Sequence, residues 1–574
     1  MLRVEEYTSD LPDMPYPNFI AFLGGIESQY QDKTAILYRS GKRTTFTEWS
    51  FKRFAAKCRQ IARGLLAAGL QKGDRVALWA ENRPEWTSVW MGTAIAGMVI
   101  VPIDFLVSEK ECANILEITQ AKAFFHSKRK QEFAATVNAA VKVCFPDNET
   151  NDFDAFGADA ESIALPKVED VAENDPVSVV FTSGTTGFAK GVMLSHKGII
   201  ANANAAIRAL RAVEKDVFIN VLPLHHTYPT TCSFISPLAC GASFIIVEKL
   251  VGKVVIDDIN DAGGTFLIAV PLLYDKVMDA IAQGYDKLPS ILKGIFDVLR
   301  KISLAEAKKG RIGFGRVALS IIRKKARLGS IRIMVAGGGA LNPKTADFFD
   351  SLGFNIVHGY GMSENGPLIS VNLPKFKRNA SVGLPVKYTD VKIIDANEDG
   401  VGEIAVYSPS MMLGYYNNPE ATEEMFERFD GIRYLKTGDL GYRDEDGYLY
   451  INGRKKNLIV SSGGKNVYPE EIEAHFGNSR VIQETLVVGR KETVTRGEQV
   501  FAVVVPNYEA LAIDYPGKET DDAFVHSLIK KEIENVNRTL VGYKKITDFT
   551  TRKEPFEKNA QQKIRRFLYK SYEN

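Results

Sequence analysis

Apolar and polar positions in the first hundred residues alternate between helical and strand-like spacing. Residues 46–70 carry apolar side chains on one helical face. Arg75–Trp79 is a short continuous apolar run, which predicts a buried strand. An apolar helix that ends at Gly97 and a second strand, Met98–Ile103, come next. This alternation predicts an α/β fold with a parallel sheet.

Two later apolar strands each lead into a glycine-rich turn. Ile331–Val335 runs into Ala336–Leu341, and Asn355–His358 runs into Gly359–Glu364. Ligands of open α/β sheets bind at such strand ends, so both turns are candidate ligand contacts.

The rest of the chain predicts smaller β-containing parts. Residues 390–452 hold short alternating runs, typical of a small antiparallel β subdomain that we expect near 375–452. The last hundred residues combine strands with one helix around Val525–Asn537. We therefore predict a large domain of parallel α/β subdomains with a β subdomain over 1–455. A small mobile α+β domain is predicted over 456–574.

Composition narrows the class of protein. The 574 residues hold 72 basic and 70 acidic side chains, and a net charge of +2 does not indicate nucleic-acid binding. The N-terminus carries acids where a secretory signal needs cations, and the longest apolar stretch is shorter than the ~20 residues of a membrane span. Five cysteines without a CxxC motif indicate reduced thiols. We expect a cytoplasmic protein.

One loop between the apolar runs Val177–Phe181 and Val192–Leu194 concentrates hydroxyl groups, glycines and a lysine. Glycines let backbone N–H groups face a ligand, and the side chains add donors, which suits a polyphosphate. A flexible Ser/Thr/Gly hairpin loop explains the composition equally well. It is not the common P-loop, because Gly191 rather than Ser or Thr follows the lysine. The loop residues are Thr182, Ser183, Gly184, Thr185, Thr186, Gly187 and Lys190.

The order T-S-G-T-T-G-x-x-K-G resembles the phosphate loop of the adenylate-forming (ANL) superfamily, which includes acyl-CoA synthetases, adenylation domains and luciferases. Both glycine-rich turns resemble further motifs of that family, and so do Thr437–Gly441 and Asn452–Lys456. The four segments follow one another in the same order as the motifs of the family. Glu81–Trp86 is similar to a segment of long-chain acyl-CoA synthetases, although we expect it to serve locally only as a helix N-terminus. The resemblance covers nearly the whole chain.

The resemblance implies a nucleotide site. Tyr360 would stack on adenine, Glu364 would bind Mg²⁺ and Asp439 would hold the ribose hydroxyls. Mg²⁺ prefers few carboxylates together with water and phosphate oxygens, which agrees with this assignment. The implied metal ligands are Glu364 and Thr185. The implied nucleotide-binding residues are the seven loop residues above with Gly338, Gly339, Ala340, Gly359, Tyr360, Gly361, Met362, Ser363, Asp439 and Arg454.

A predicted strand from Phe218 ends in the pair His225–His226. A histidine on an apolar strand is usually a core residue, but Pro223–His226 resembles the family's P-x-x-H segment, which borders the acyl carboxylate. That match implies that His226 faces the pocket and has a catalytic role, whereas His225 points away. We expect no metal here, because no carboxylate or thiol stands nearby in the sequence.

The C-terminal part carries the remaining implied roles. Lys456 occupies the family's hinge position, and Gly463 or Gly464 would let the pantetheine arm of CoA pass close to the backbone. Lys563 corresponds to the family's adenylation lysine and, with Thr185, Glu364 and His226, completes the implied catalytic set. Gln562 replaces the usual glycine before it, and Lys558 is the alternative.

Residues 285–329 form a basic amphipathic stretch. A solvated helical insertion explains it. A surface that contacts anionic membranes, at the inner membrane face, is the second interpretation.

The resemblance implies that a carboxylic acid is joined to AMP from ATP and then transferred to CoA, with Mg²⁺ as cofactor. The motifs favour a medium- or long-chain fatty acid. An aryl acid and an acyl carrier protein in place of CoA remain alternatives, as does a non-catalytic scaffold with a relic nucleotide site. The charged residues of the implied site argue against the scaffold. Chain length and oligomeric state are not determined by the sequence.

Overall fold

The computed structural model describes residues 4–8, 13–14, 16–39, 44–146, 152–182, 189–461, 464–477, 479–491, 497–558 and 564–573. The described chain forms two compact units. The first unit contains residues up to 182, 189–390 and 406–435, and the second contains 391–405 and 436 onward. The predicted domain boundary at 455/456 remains a prediction.

The β-strands are numbered in chain order. They are β1 (Thr34–Tyr38), β2 (Thr47–Ser50), β3 (Arg75–Trp79), β4 (Val99–Pro102), β5 (Ala123–His126), β6 (Val141–Cys144), β7 (Pro176–Thr182), β8 (Lys190–Ser195), β9 (Val217–Asn220), β10 (Ser243–Ile246), β11 (Phe266–Ala269), β12 (Ile333–Ala336), β13 (Ile356–Gly361), β14 (Leu368–Val371), β15 (Leu384–Pro385), β16 (Asp390–Ile394), β17 (Gly402–Tyr407), β18 (Gly414–Tyr415), β19 (Phe426–Phe429), β20 (Ile432–Arg443), β21 (Leu449–Arg454), β22 (Ile459–Val460), β23 (Asn466–Val467), β24 (Ile482–Lys491), β25 (Glu498–Pro506) and β26 (Asp548–Thr551).

The α-helices are numbered in the same way. They are α1 (Val4–Thr8), α2 (Phe19–Tyr30), α3 (Phe51–Ala67), α4 (Pro84–Ile95), α5 (Glu109–Thr119), α6 (Gln131–Thr136), α7 (Asp152–Ala155), α8 (His196–Leu210), α9 (Thr227–Pro229), α10 (Ser236–Ala239), α11 (Gly252–Asp261), α12 (Pro271–Asp286), α13 (Ser290–Ala307), α14 (Gly313–Ala318), α15 (Ser320–Lys325), α16 (Pro343–Ser351), α17 (Pro419–Glu424), α18 (Pro469–Glu473), α19 (Tyr508–Asp514) and α20 (Asp522–Thr539).

Two largely parallel sheets form the first unit. The nine-stranded sheet has the order β15-β14-β13-β12-β11-β9-β10-β1-β2, and its strands from β13 to β1 are parallel. The seven-stranded sheet has the order β18-β8-β7-β4-β3-β5-β6, with antiparallel pairs at β18–β8 and β8–β7. Parallel sheets are buried on both faces, which agrees with fully buried strands such as β4 and β11. The predicted α/β class is confirmed.

Helix α4 shows how the first unit uses its apolar sequence. Pro84 begins the helix, where its missing N–H costs no hydrogen bond. Trp86, Val89 and Trp90 are each at most 1% exposed, and residues on every side of the helix are buried. A helix that is apolar all round belongs in a core.

The second unit contains the predicted small α+β part. Strands β24, β25 and β26 form a three-stranded sheet, and helix α20 buries Val525, Ile529 and Ile533 in the same apolar core. The four-residue spacing of these side chains is that of one helical face. Strand β20 ends in this unit, where it pairs with β21 in the register Asp439↔Arg454.

Two sequence-based expectations need correction. Strand β9 ends at Asn220, so the paired histidines lie in a turn five residues later rather than at a strand end. Strand β13 continues through Gly361, because Gly359 and Gly361 pair with Val371 and Leu368 of β14. The glycines of the second segment are therefore strand, and its turn begins only at Ser363.

The described residues contain no helix that is both long and apolar enough to span a lipid bilayer. The five cysteines all lie in the described parts of the chain and form no disulfide bond there; four are buried and Cys240 is partly exposed.

Candidate functional site

The two ends of the predicted phosphate loop lie on paired strands of the first unit. Thr182 ends β7, Lys190 begins β8, and the two residues are cross-strand partners. The Thr182 hydroxyl donates to the Lys190 carbonyl oxygen at 3.4 Å. Ser183, Gly184, Thr185, Thr186 and Gly187 lie outside the described residues. The strand pair therefore fixes where the loop leaves and re-enters the sheet.

Tyr415 connects the lysine of this loop with the candidate metal ligand. The Lys190 ammonium lies 4.9 Å from the centre of the Tyr415 ring. The Tyr415 hydroxyl donates to Glu364 Oε1 at 2.8 Å. Burial and the neighbouring Glu364 carboxylate raise the Tyr415 pKa, so the phenol keeps its proton. A cation, an aromatic ring and a carboxylate are thus in sequential contact.

The backbone also holds Glu364 in place. Glu364 lies in a 3₁₀ turn, Ser363–Asn365, that follows β13. Its carbonyl oxygen accepts the Met412 N–H at 2.7 Å. Strand β18 pairs with β8, and this pairing positions Tyr415. The metal candidate and its aromatic neighbour are therefore tied to the same sheet edge as the phosphate loop.

The first glycine-rich turn presents backbone toward solvent. Gly338 has a positive φ of 77°, and Gly338 and Ala340 are exposed. The buried His358 Nε2 lies 2.9 Å from the Gly339 carbonyl oxygen, and burial lowers the His358 pKa to about 4. A neutral imidazole below the turn donates one hydrogen bond to the Gly339 carbonyl oxygen, which restrains the backbone of the turn.

The histidine pair lies in a turn that the side chain of Asn82 supports. Asn82 Oδ1 accepts the Leu224 N–H at 2.8 Å, and its Nδ2 donates to the Leu222 carbonyl oxygen at 2.7 Å. The expectation that Glu81–Trp86 acts only as a helix N-terminus is therefore wrong. The Thr227 hydroxyl, one residue after the pair, lies 3.4 Å from the Ser363 hydroxyl. This contact brings the histidine turn next to the Glu364 segment.

Asp104 joins the two histidines, although it is distant from them in the sequence. His225 Nε2 lies 3.1 Å from His226 Nε2 and 3.5 Å from Asp104 Oδ2. Burial lowers the His226 pKa to about 3, with repulsion from His225 added. For Asp104, burial is outweighed by the favourable contact with His225, and the Asp104 pKa falls to about 2. Both rings present Nε2 to each other, and the orientation of His225 away from the pocket remains a prediction.

The candidate ribose ligands lie in the second unit. The Asp439 carboxylate is 2.7 Å from the Arg454 guanidinium, and Asp439 is 5% exposed. The Thr437 hydroxyl accepts the Asp439 N–H at 3.1 Å, and Gly438 has a positive φ of 70° that suits this tight corner. The pair is thus a preformed carboxylate and guanidinium in one hairpin.

The structure describes the C-terminal candidates only in part. Gly463 and Lys563 lie outside the described residues. Gly464 has a positive φ of 69°, and Lys456 is in a 3₁₀ turn directly after β21. Lys558, the alternative adenylation lysine, forms an ion pair with Glu484 at 2.7 Å.

The sequence-based site lacked three residues that the structure adds: Asn82, Asp104 and Tyr415. Tyr415 had a usable signal, the aromatic pair in Gly414–Tyr416 directly after an apolar run. Asn82 stands inside the segment Glu81–Trp86, which is similar to a segment of long-chain acyl-CoA synthetases. Asp104 had no local signal in the sequence, since its partners come from a turn that is distant along the chain.

Models of known families match two parts of the chain. Residues 27–416 match the AMP-binding enzyme family, and residues 456–574 match the AMP-binding enzyme C-terminal domain. The chain belongs to the AMP-binding enzyme family, within the adenylate-forming superfamily. It is an AMP-forming acid–CoA ligase, which joins a carboxylic acid to CoA through an acyl-adenylate.

Individual relatives and solved structures agree with this class. A long-chain-fatty-acid–CoA ligase of Bacillus subtilis is 28% identical and covers 91% of each chain. The ATP-bound structure of MatB from Rhodopseudomonas palustris has a TM-score of 0.77 at 25% identity, over 97% of this chain and 99% of its own. O-succinylbenzoate CoA synthetase (MenE) of B. subtilis, in complex with ATP and magnesium ion, has a TM-score of 0.71 at 22% identity, over 95% and 98%. The predicted fold class is that of these enzymes.

Proposed function

We propose that this enzyme activates medium- or long-chain fatty acids as their CoA thioesters. The single observation that carries the substrate class is the similarity to the long-chain-fatty-acid–CoA ligase of B. subtilis over 91% of each chain. An aryl acid remains the alternative, because MenE, whose name specifies an aryl acid, has the same fold.

The proposed reaction has two steps. The substrate carboxylate attacks the α-phosphorus of ATP, and pyrophosphate leaves. The CoA thiol then attacks the acyl carbonyl carbon, loses its proton and displaces AMP. Positioning and neutralisation of phosphate charge are the main contributions that the protein makes to such steps.

The residues of the first unit suit the first step. Lys190 supplies a cation at the start of β8, and the Tyr415 ring limits the positions that its ammonium can take. Glu364 fits Mg²⁺, because it offers a carboxylate whose orientation a phenol hydrogen bond fixes. When bound, Mg²⁺ would neutralise phosphate charge. Thr185 is the second proposed ligand, and Tyr360 and Ser363 are proposed to contact adenine and the reacting groups.

The remaining proposed roles belong to residues of the second unit. We assign the ribose hydroxyls to Asp439 and Arg454, the hinge to Lys456, passage of CoA to Gly463 and Gly464, and adenylation to Lys563. An anionic acceptor beside a guanidinium, as in the Asp439–Arg454 pair, suits two hydroxyl donors.

ATP–pyrophosphate exchange over a panel of acids tests the substrate. Octanoate, palmitate, benzoate, o-succinylbenzoate and malonate would be compared at equal free concentration. We expect the highest kcat/KM with a fatty acid. A higher value with an aryl acid rejects the proposal, and exchange with none of a wider set favours the non-catalytic scaffold.

Lys563→Ala tests the adenylation lysine, with Lys558→Ala as its matched control. We expect Lys563→Ala to lose about 10²-fold or more in adenylation, yet to transfer a supplied acyl-adenylate to CoA. Equal loss of both half-reactions rejects the assignment, and loss in Lys558→Ala alone transfers it to that lysine.

We also propose that residues 285–329 bring the enzyme to anionic membranes, which hold its fatty acid substrate. This segment has twelve Lys or Arg and three Asp or Glu, hence a net charge of +9, whereas the whole chain has +2. The remainder of the chain therefore carries −7 and would be repelled by an anionic surface. Charge complementarity favours this one face of the protein.

The apolar component of this surface lies on α13. Ile291, Ile295, Val298 and Ile302 follow helical spacing and are 79%, 55%, 57% and 43% exposed. The opposite face of α13 is buried, where the Ser303 hydroxyl donates to the Asp350 carbonyl oxygen. These four exposed side chains are called the α13 row below. Val317 of α14 and Ile321 of α15 are also exposed, at 77% and 69%. A large exposed apolar surface beside cations is typical of helices that lie in the membrane interface.

Vesicle flotation tests this contact. We expect wild-type protein to float with phosphatidylglycerol vesicles and to lose binding by about 100-fold in Lys301→Glu/Lys324→Glu/Lys325→Glu, since each lysine contributes about 1 kcal/mol near such a surface. The matched control reverses the exposed Lys530, Lys531 and Lys545 of the second unit. Equal flotation of all three proteins rejects the contact. If the protein does not float with vesicles but self-associates, and substitutions in the α13 row abolish this association, the face binds a second copy of the chain instead.

A further inference from the structure

The cluster formed by Asp104, His225 and His226 brings three potential ligand atoms close together. Among the described residues, it is a group whose ligand atoms all lie within 4.8 Å of one another. Two Nε2 atoms are 3.1 Å apart, and Asp104 Oδ2 is 3.5 Å from the nearer one. The carboxylate–imidazole distance exceeds the usual 2.7–3.2 Å of a hydrogen bond. A direct hydrogen bond therefore explains the contact between the two imidazoles well, but not the contact between His225 and Asp104.

The same distances agree with shared coordination. Zn²⁺ binds histidine nitrogen and carboxylate oxygen at about 2.0–2.2 Å in tetrahedral geometry, so neighbouring ligand atoms stand roughly 3.3–3.5 Å apart. The observed 3.1 and 3.5 Å lie close to that separation. A small shift of the imidazoles would suffice to admit an ion.

The fold holds each ligand before any ion binds. Asp104 follows β4, and its Oδ1 accepts the Leu106 N–H at 2.9 Å, which leaves Oδ2 directed at His225. The Trp79 indole N–H donates to the Asp104 carbonyl oxygen at 2.9 Å and fixes the backbone of this turn. Asn82 supports the histidine turn from the other side. The three ligands therefore come from two turns, each held by its own hydrogen bonds.

We propose that Asp104, His225 and His226 bind one divalent transition-metal ion of the Zn²⁺ class. Two imidazoles with one carboxylate are a ligand set that suits Zn²⁺ or Co²⁺, whereas Mg²⁺ and Ca²⁺ prefer oxygen ligands throughout. Three protein ligands leave a fourth position for water or another oxygen donor. This site is separate from the Mg²⁺ proposed at Glu364 and does not depend on the substrate of the enzyme.

Metal titration of the full-length protein, stripped with a chelator and free of affinity tags, tests the site. We expect one Zn²⁺ per chain by equilibrium dialysis, and visible absorption of four-coordinate Co²⁺ that Zn²⁺ abolishes. Asp104→Asn, which keeps the side-chain shape, and His225→Ala should each weaken binding by about 100-fold or more, since even indirect partners of metal ligands give 10–100-fold effects. His526→Ala, at an exposed histidine of α20, should change nothing.

A readout without variants covers the case in which a substitution prevents folding. Co²⁺ should shift the imidazole NMR signals of His225 and His226 and leave those of His475 and His526 in place. The proposal fails if wild-type protein does not bind Co²⁺ or Zn²⁺ at one per chain, or if Asp104→Asn and His225→Ala bind as wild type. It also fails if Co²⁺ shifts the signals of the other histidines instead of those of His225 and His226.

Discussion

Helices α4 and α13 are both rich in apolar side chains, but the first unit buries only α4 on all sides. Every side of α4 faces protein, whereas α13 buries Phe296, Ser303 and Ala307 and exposes the α13 row. The two sequences also differ in charge, since α13 contains five charged side chains and α4 contains only Glu85. The two helices differ in the exposure of their apolar side chains. A group of exposed apolar side chains indicates a surface that contacts another molecule or a membrane.

The consequences for function differ in the same way. The residue two positions before α4, Asn82, supports the histidine turn, so a disturbance at this helix reaches the candidate site. The α13 row is exposed, and its residues lie outside the site contacts described above. We therefore expect substitutions at buried positions near the site to change catalysis, and substitutions in the α13 row to change binding of the enzyme to membranes.

Glu364→Gln is expected to have the largest effect, and it tests the claim that residues of the candidate site, rather than the exposed α13 row, control catalysis. The carboxamide can still accept the Tyr415 hydrogen bond, so the fold is kept, but the negative charge for Mg²⁺ is lost. We expect ATP–pyrophosphate exchange to fall by about 10²–10³-fold. Tyr415→Phe, the control, removes only the hydrogen bond and should cost less. Wild-type exchange in Glu364→Gln would remove the metal role from this residue.

Two buried histidines should make the first unit sensitive to acid. Burial lowers the pKa of both His196 and His358 to about 4. Below about pH 6.5 these histidines are therefore protonated in the unfolded chain, whereas in the folded unit they stay neutral down to about pH 4. The free energy of unfolding should therefore fall as pH drops from about 6.5 to 4, by up to roughly 3 kcal/mol per histidine. No histidine lies in residues 285–329, so charge changes there should leave this slope unchanged.

Tryptophan fluorescence in urea measures this pH dependence for the first unit alone, because all four tryptophans, Trp49, Trp79, Trp86 and Trp90, belong to it. His196→Asn should reduce the slope between pH 6.5 and 4. A slope that is the same in this variant would mean that His196 is protonated in the folded unit.

Asn82→Ala tests the link between α4 and the site. It leaves the Leu224 N–H without its partner, which costs roughly 1–3 kcal/mol of local stability, whereas the Leu222 carbonyl oxygen still accepts a hydrogen bond from Asn220 Nδ2. Displacement of the histidine turn should lower kcat/KM by about tenfold. Asn82→Asp, which can still accept the Leu224 N–H, should lose less. Unchanged kinetics in Asn82→Ala would separate the helix from the site.

Val298→Ser should have the smallest effect. Val298 is 57% exposed, so we expect its free energy of unfolding to change by no more than about 0.5 kcal/mol, and exchange with octanoate to stay at the wild-type rate. The matched change Val89→Ser, at a fully buried position of α4, should destabilise by about 2 kcal/mol or more. Similar destabilisation by both would mean that α13 is covered in solution.

Much of the fold followed from local patterns. Arg75–Trp79 has the predicted bounds, and the helix and strand that follow it were expected, because apolar periodicity depends on side chains a few residues apart. The motif residues Lys190 and Glu364 were also recognisable in the sequence, since each stands in a short string of unusual composition. Contact of both with one aromatic ring was not predictable, because β18 approaches β8 only in the folded sheet.

The sequence by itself thus determined the α/β class, the order of the motifs and the chemical types of the candidate site residues. The tertiary structure alone decided that Asp104 meets His225 and His226, that Asn82 supports their turn, and that the α13 row stays in water. The physical reason is distance along the chain: helical and strand periodicity act between near neighbours, whereas hydrogen bonds, coordination and burial depend on which strand ends and faces the sheets bring together.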